Sequence, residues 1–232
     1  MQYFTKEAFY QNFIADDRFT KYILGGLKTT LSITLCAVLI GILIGFIVGT
    51  IRATHDKTGK LGALSALCRA YLSVIRGTPV LVQLMIIYYC IFTSPDASKF
   101  VAAILAFGIN SGAYVAEIFR SGIMSIDNGQ FEAGRSLGFN YPQTIWYIIM
   151  PQAIKNVLPA LCNEFIALLK ETSVATVIAV TELTYGGNII RSRTFNPFLP
   201  LLTVAFMYWI VVTILTALVG RLEARLRKNE KR

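Results

Sequence analysis

Histidine is nearly absent: the 232 residues hold one, His55, in a charged stretch with no ligand-type partner near it in sequence. Catalysis by a histidine base and histidine-rich metal sites therefore have little to build on. Cysteine is also scarce, and Cys36, Cys68, Cys90 and Cys162 form no Cys-x-x-Cys pair. Three of the four lie in apolar runs and read as small packing residues, which argues against a disulfide framework or metal cluster. A Walker A loop is missing, since Gly25-Gly26-Leu27-Lys28-Thr29 lacks the Gly-Lys pair and the preceding strand. Gly134-Arg135-Ser136-Leu137-Gly138 has the spacing of a nucleophile elbow, but no strand pattern precedes it and His55 is the only histidine available as its base. No catalytic residue and no metal ligand is assigned, and the chain is not expected to be an enzyme.

Charge is sparse too. Only 15% of residues are charged against 55% hydrophobic, and the mean hydropathy is +0.58, far more apolar than a soluble domain. The formal net charge of +9 would fit nucleic acid or anionic lipid if the cations formed one patch. They cluster instead at the ends of apolar runs, the pattern of positive charge held on the cytoplasmic side of a membrane.

Five spans are expected, over residues 23–51, 72–92, 100–123, 143–170 and 198–220, making an all-α membrane protein. The first apolar run starts near Ile23 and is too long for a cleavable signal peptide. At 1.5 Å per residue it reaches about 43 Å, more than the ~30 Å hydrocarbon core. Gly41, Gly45 and Gly49 repeat every four residues on one stripe of it, which permits close helix approach, within the bundle or in a dimer. Residues 1–22 mix aromatics with charges of both signs, as an interfacial segment does. Residues 221–232 form a basic cytoplasmic tail, with Arg221, Arg225, Arg227, Lys228, Lys231 and Arg232. Adding Arg52, Lys57, Lys60, Arg69, Arg76, Arg120, Arg135 and Lys155 puts most Lys and Arg on one side, so the N-terminus is expected outside and the C-terminus in the cytoplasm. The turn at Ser94-Pro95-Asp96 falls outside. The more polar stretch 171–196 is read as an external or re-entrant hairpin broken at Tyr185-Gly186-Gly187-Asn188.

The long polar interruption is Glu132 to Pro151, EAGRSLGFNYPQTIWYIIMP. Asp127-Asn128-Gly129 reads as a turn and helix start, Gln130 to Leu137 as two helical turns stopped by Gly138, and Asn140 as the cap of the next helix with Pro142 in its first turn. This spacing of Glu132-Ala133, Gly138 and Pro151 resembles the EAA loop of ABC importer permeases, with Gly134 in place of an alanine and Met150 in place of a leucine. RGTP at Arg76 to Pro79 followed by VLVQLMIIYY, NSGAYVAEIFRSGI in the third span and LPALCNEFIALLKETS in the fourth resemble the polar amino acid branch of that class. The resemblance implies a short cytoplasmic coupling helix between spans 3 and 4, with Glu132, Ala133, Gly134 and Gly138 meeting a separate ATPase. It further implies that ATP and Mg are bound by that partner and none by this chain, that a second permease subunit completes a homodimer or heterodimer in the cell (inner) membrane, and that an extracytoplasmic solute-binding protein delivers a polar amino acid. An ion-coupled secondary amino acid carrier or a channel is the alternative; no inverted repeat or discontinuous helix pair supports it.

Polar residues at equal depth in the spans mark a possible path, because an intramembrane charge costs roughly 2.5–3.5 kcal/mol on insertion scales. Asn110, Ser111 and Tyr114 in the third span and Asn163 and Glu164 in the fourth fall near mid-membrane. Glu164 is expected to meet the ammonium of a zwitterionic amino acid; interhelical hydrogen bonding is the competing role. Glu117 lies nearer the cytoplasm. Lys170, Glu171, Thr172 and Ser173 lie near the external end, where they either gate the path, receive a binding protein or simply end a helix.

Overall fold

The computed structural model describes residues 5–94 and 96–228; Pro95 of the expected turn and Lys231 and Arg232 of the expected tail lie outside them. The helices run in order as α1 Lys6–Phe9, α2 Gly25–Thr58, α3 Gly62–Gly77, α4 Val80–Ile86, α5 Lys99–Met124, α6 Asn128–Ser136, α7 Tyr141–Thr144, α8 Met150–Glu171, α9 Leu183–Thr194 and α10 Phe198–Lys228. No strand occurs among the described residues, in keeping with the expected class. Among the described residues three helices, Phe19–Thr58, Lys99–Met124 and Phe198–Leu226, are long and apolar enough to cross a membrane. In place of one span at 72–92 there are two helices, α3 and α4, the latter running on to Ile91 and bent by 104° from the former. Pro79 stands at the break, where its ring and missing N–H end α3. The stretch 143–170 is helical through α7, a wide turn over Ile145–Ile149 and α8, yet it is not among the long apolar helices, since Gln152, Lys155, Asn156, Asn163 and Glu164 dilute its hydropathy.

The chain divides into two compact units, exchanged within α2, α5, α8 and α10 and at the α3–α4 bend. The first unit comprises residues 1–37, 80–107 and 166–217. Its core joins Ile23, Leu183, Ile190 and Val204, with Phe19, Tyr22 and Tyr208 packed on it. The expected break at Tyr185-Gly186-Gly187-Asn188 does not occur, because α9 runs straight through it. These glycines serve contact: a Cβ on Gly186 would lie 2.1 Å from the Tyr22 carbonyl oxygen, and one on Gly187 would lie 2.5 Å from Val204 Cγ2.

The second unit comprises residues 38–79, 108–165 and 218–232. Here the glycine stripe packs α2 on α5: Cβ atoms on Gly41, Gly45 and Gly49 would come within 2.9 Å of Ser111 Oγ, 2.4 Å of Val115 Cγ1 and 2.6 Å of the Ala116 carbonyl oxygen. Without a hydrophobic drive between helices in lipid, such backbone approach supplies the dispersion contact that holds them. Tyr71 on α3 donates to the Ile109 carbonyl of α5 at 2.6 Å. A second cluster, Ala53, Ile123, Phe131, Ile145, Ile149, Met150 and Ala153, ties α6 to α2, α5 and α8. Phe131 is the anchor of α6 in that cluster, and burying such a ring contributes about 1.5–3 kcal/mol.

Candidate functional site

The polar interruption folds as a rigid surface helix with both ends capped. Asp127 accepts from Gly129 N at 2.7 Å to start α6. At the other end Phe139 N bonds the Gly134 carbonyl at 3.0 Å and Gly138 N bonds the Arg135 carbonyl at 2.9 Å, closing a Schellman motif. That motif needs a left-handed residue, and Gly138 supplies it with φ of 80°. Asn140 and Gln143 then form a reciprocal capping box at 3.0 and 2.9 Å, with Pro142 in the first turn of α7. Lys57 at the end of α2 steadies the front of α6, donating to Asn128 Oδ1 at 2.6 Å with its ammonium 4.7 Å from the Phe131 ring centre. Gln152 on α8 donates to Gln130 at 3.1 Å.

Of the four residues expected at a partner surface, Glu132, Ala133 and Gly138 are exposed. Gly134 is buried, and a Cβ there would lie 2.6 Å from Thr144 Cγ2; its smallness seats α6 on α7. Leu137 stands beside the exposed set, 71% accessible. A cleft of about 570 Å³ opens along α6 and α7, lined by Lys57, Glu132, Arg135, Phe139, Asn140 and Tyr141 among others. Charges of both signs stand here around an apolar step.

Among the expected path residues, Ser111 and Glu164 meet directly: Ser111 Oγ donates to Glu164 Oε1 at 2.8 Å, linking α5 and α8. Asn110 and Ser111 are buried, Glu164 is half-buried, and Asn163 and Tyr114 are exposed. The Arg76 guanidinium, at the end of α3, sits 5.6 Å from the Tyr114 ring centre. One turn further along α5 lies an ionic network that sequence reasoning missed. Glu117 pairs with Arg52 of α2 and with Arg120 at 3.1 Å, Arg76 approaches it at 3.7 Å, and Arg120 also reaches Asp56 at 3.1 Å. Its signal in the sequence is the acid–base pair three residues apart on α5 together with Arg52 at the end of the first span.

Glu182 was missed as well. It is fully buried and caps α9, accepting from Thr184 N at 2.8 Å, Tyr185 N at 2.6 Å, Thr176 Oγ1 at 3.0 Å and Tyr208 OH at 3.2 Å. Burial pushes its carboxyl above the usual carboxylate range, and the four hydrogen bonds only partly offset that. Glutamate is not a favoured cap, so no sequence signal marks it. Thr172 and Ser173 spend their hydroxyls on carbonyls of the preceding turn, while Lys170 is exposed.

Comparison with known proteins matches residues 41–228 to the family described as binding-protein-dependent transport system inner membrane component. The L-cystine transport system permease of Bacillus subtilis is 39% identical, over 73% of this chain and 74% of the relative. The arginine transport system permease of the same organism is 39% identical over 69% of this chain and 74% of its own length. A crystal structure of an amino acid ABC transporter with histidines superposes with a TM-score of 0.82 at 39% identity, covering 92% of this chain and 98% of that one.

Proposed function

The chain belongs to the inner membrane component family of binding-protein-dependent transport systems and is the permease subunit of an amino acid ABC importer; we propose that α6 is where it takes up the work of ATP hydrolysis. The observation that carries this reading is the exposed, doubly capped α6 that presents Glu132, Ala133, Leu137 and Gly138 while Phe131 and Gly134 anchor it to the bundle. A helix held so firmly transmits a push to α5 and α8 instead of absorbing it. ATP and Mg sit on a separate ATPase subunit, two permease chains make the assembly, and a solute-binding protein feeds it from outside. The spans are five, counting the bent α3–α4 pair as one and 143–170 as the polar one, with the N-terminus outside and the C-terminus in the cytoplasm. Residues 1–22 then lie at the outer interface, 23–220 form the permease domain and the chain from 221 onward faces the ATPase side.

In this reading Glu164, held by Ser111, receives the ammonium of the amino acid, with Asn110, Tyr114 and Asn163 nearby in the path. The side chains of cystine, arginine and histidine, named for relatives, share little, whereas the α-ammonium is common to all; a carboxylate fits that common group. The test is uptake by the permease reconstituted with its ATPase and binding protein. Glu164→Gln should assemble normally and lower transport by at least about tenfold, the order expected when a charged hydrogen-bond partner is lost. Unchanged uptake kinetics would remove Glu164 from the site. Gly138→Trp should uncouple hydrolysis from uptake or release the ATPase, and full coupling in that variant would sink the role given to α6.

A further inference from the structure

The link between α9 and α10 carries surface that the transport path does not use. Arg191, Ser192 and Arg193 are exposed, and Phe195 is 89% accessible, the highest value among the large apolar side chains described. Phe195 also sits in the left-handed region, φ 52° and ψ 21°, at the position after a helix where glycine is the ordinary choice. A bulky residue kept there is strained, and such strain persists where the surroundings over-determine it.

The surroundings do so here. The Thr194 hydroxyl lies within 2.9 Å of both Asn12 Oδ1 and the Ile190 carbonyl, and buried Asn196 accepts from Phe198 N at 3.0 Å to start α10. The Arg193 guanidinium packs 5.2 Å from the Tyr22 ring centre, with Lys21 5.6 Å from the same ring. Residues 183–198 contain no acid. Asp16 is paired with Arg18 at 3.2 Å, and Glu182 is buried in its own bonds. The result is a stiff projecting aromatic beside exposed arginines, on a segment that faces outside in the topology above, where retained cations run against the positive-inside bias and so call for a reason.

We propose that Arg191, Arg193 and Phe195 form the docking point for the extracytoplasmic binding protein, with Phe195 entering an apolar pocket whose rim carries Asp or Glu carboxylates for the two guanidiniums. Rigid aromatic and arginine side chains are the residues that dominate protein interfaces. Membrane belts favour Trp and Tyr instead, which argues for a protein over a lipid surface. The proposal rests on the outside placement of α9, and the experiment separates the two.

The complete transporter in nanodiscs is titrated with its binding protein, reading affinity and the ATP hydrolysis that binding protein stimulates. Phe195→Gly should keep or raise the melting temperature, since it relieves strain, while weakening the binding protein by about tenfold or more. Arg191→Glu with Arg193→Glu should weaken it similarly, with the largest effect at low salt, and leave basal hydrolysis unchanged. Affinity within about twofold of the parent in both variants overturns the proposal. So does unchanged affinity accompanied by altered response to phosphatidylglycerol, which would assign the patch to the membrane. Ser192→Cys in right-side-out vesicles should react with an impermeant maleimide; failure to react overturns the topology, whereas reaction with unchanged affinity overturns only the docking.

Discussion

At the residue scale the molecule turns on a few places where nothing larger fits. Gly134 is the test case, because its Cβ would meet Thr144, which is itself buried and bonded to the Asn140 carbonyl at 3.1 Å. Gly134→Ala should therefore cost about 1–3 kcal/mol, the usual size of overpacking, seen as a lower melting temperature in detergent. Gly220, inside α10 with no atom within 4 Å of a Cβ, is the matched control. Gly220→Ala should hold or raise the melting temperature by the equivalent of roughly 0.5–1 kcal/mol. Equal effects at both positions would show that helix propensity, and not packing, sets the response. Charge obeys the same local logic: Glu117→Gln leaves Arg52 and Arg120 facing each other without their shared carboxylate. A loss of about 1.5–3 kcal/mol is expected, as for a hydrogen bond to a charged group, and Asp56→Asn, which keeps Glu117 in place, should cost less.

At the element scale α9 stands or falls with its cap. Glu182→Ala removes four accepted bonds and leaves buried donors open, so a destabilisation of roughly 1–3 kcal/mol follows. The carboxyl also sets a pH dependence. Its folded value lies above its unfolded one, so the folded protein holds the proton more tightly. The stability this contributes is fully present below the ordinary glutamate range near pH 4.3 and is lost as pH rises through the raised folded value. Melting temperatures taken from pH 7.5 downward should rise in the parent relative to Glu182→Gln. Parallel curves would show that another group controls this unit. The α6–α7 hairpin is stabilised differently, by backbone capping at the surface: Asn140→Ala should cost about 1 kcal/mol and leave the pH profile unaltered.

At the scale of the whole molecule, α10 has 6% of its apolar window buried and α5 has 61%. On α2, Leu35, Leu39, Leu43 and Ile47 form an exposed apolar row at four-residue spacing. Lipid and a second permease chain are the two covers available for such faces. The purified permease–ATPase complex should accordingly contain two permease chains by native mass spectrometry, and a mass with one would contradict the pairing. Uptake into vesicles should follow ATP supplied on the ATPase side and ignore imposed ion gradients.

What could be read from the chain alone was whatever depends on local or averaged chemistry. Hydropathy marked the long helices. Asp127, Gly138, Asn140 and Pro142 announced the ends of α6 and the start of α7, because caps and left-handed turns are decided within a few residues. The pairing of Ser111 with Glu164 was foreseen as a matching of depths, read either as two faces of a cavity or as interhelical hydrogen bonding, and the two side chains do bond directly. Less legible were features whose partners are remote in sequence. Glycines at 186 and 187 look like breakers until Tyr22 and Val204 are seen against them. Gly134 looks like a surface residue until Thr144 is beneath it.

The sequence by itself determined that this is a helical membrane chain, and where its polar loop begins and ends, since composition and capping are properties of neighbours. Only the tertiary structure decided which polar groups are spent on each other. Glu117 is taken up by arginines, Glu182 by a helix start, Gly134 by a threonine, while Glu132, Ala133 and Gly138 are left at the surface. The physical reason is that burial and pairing are set by distances across helices, and no spacing along one helix reports what the next helix brings.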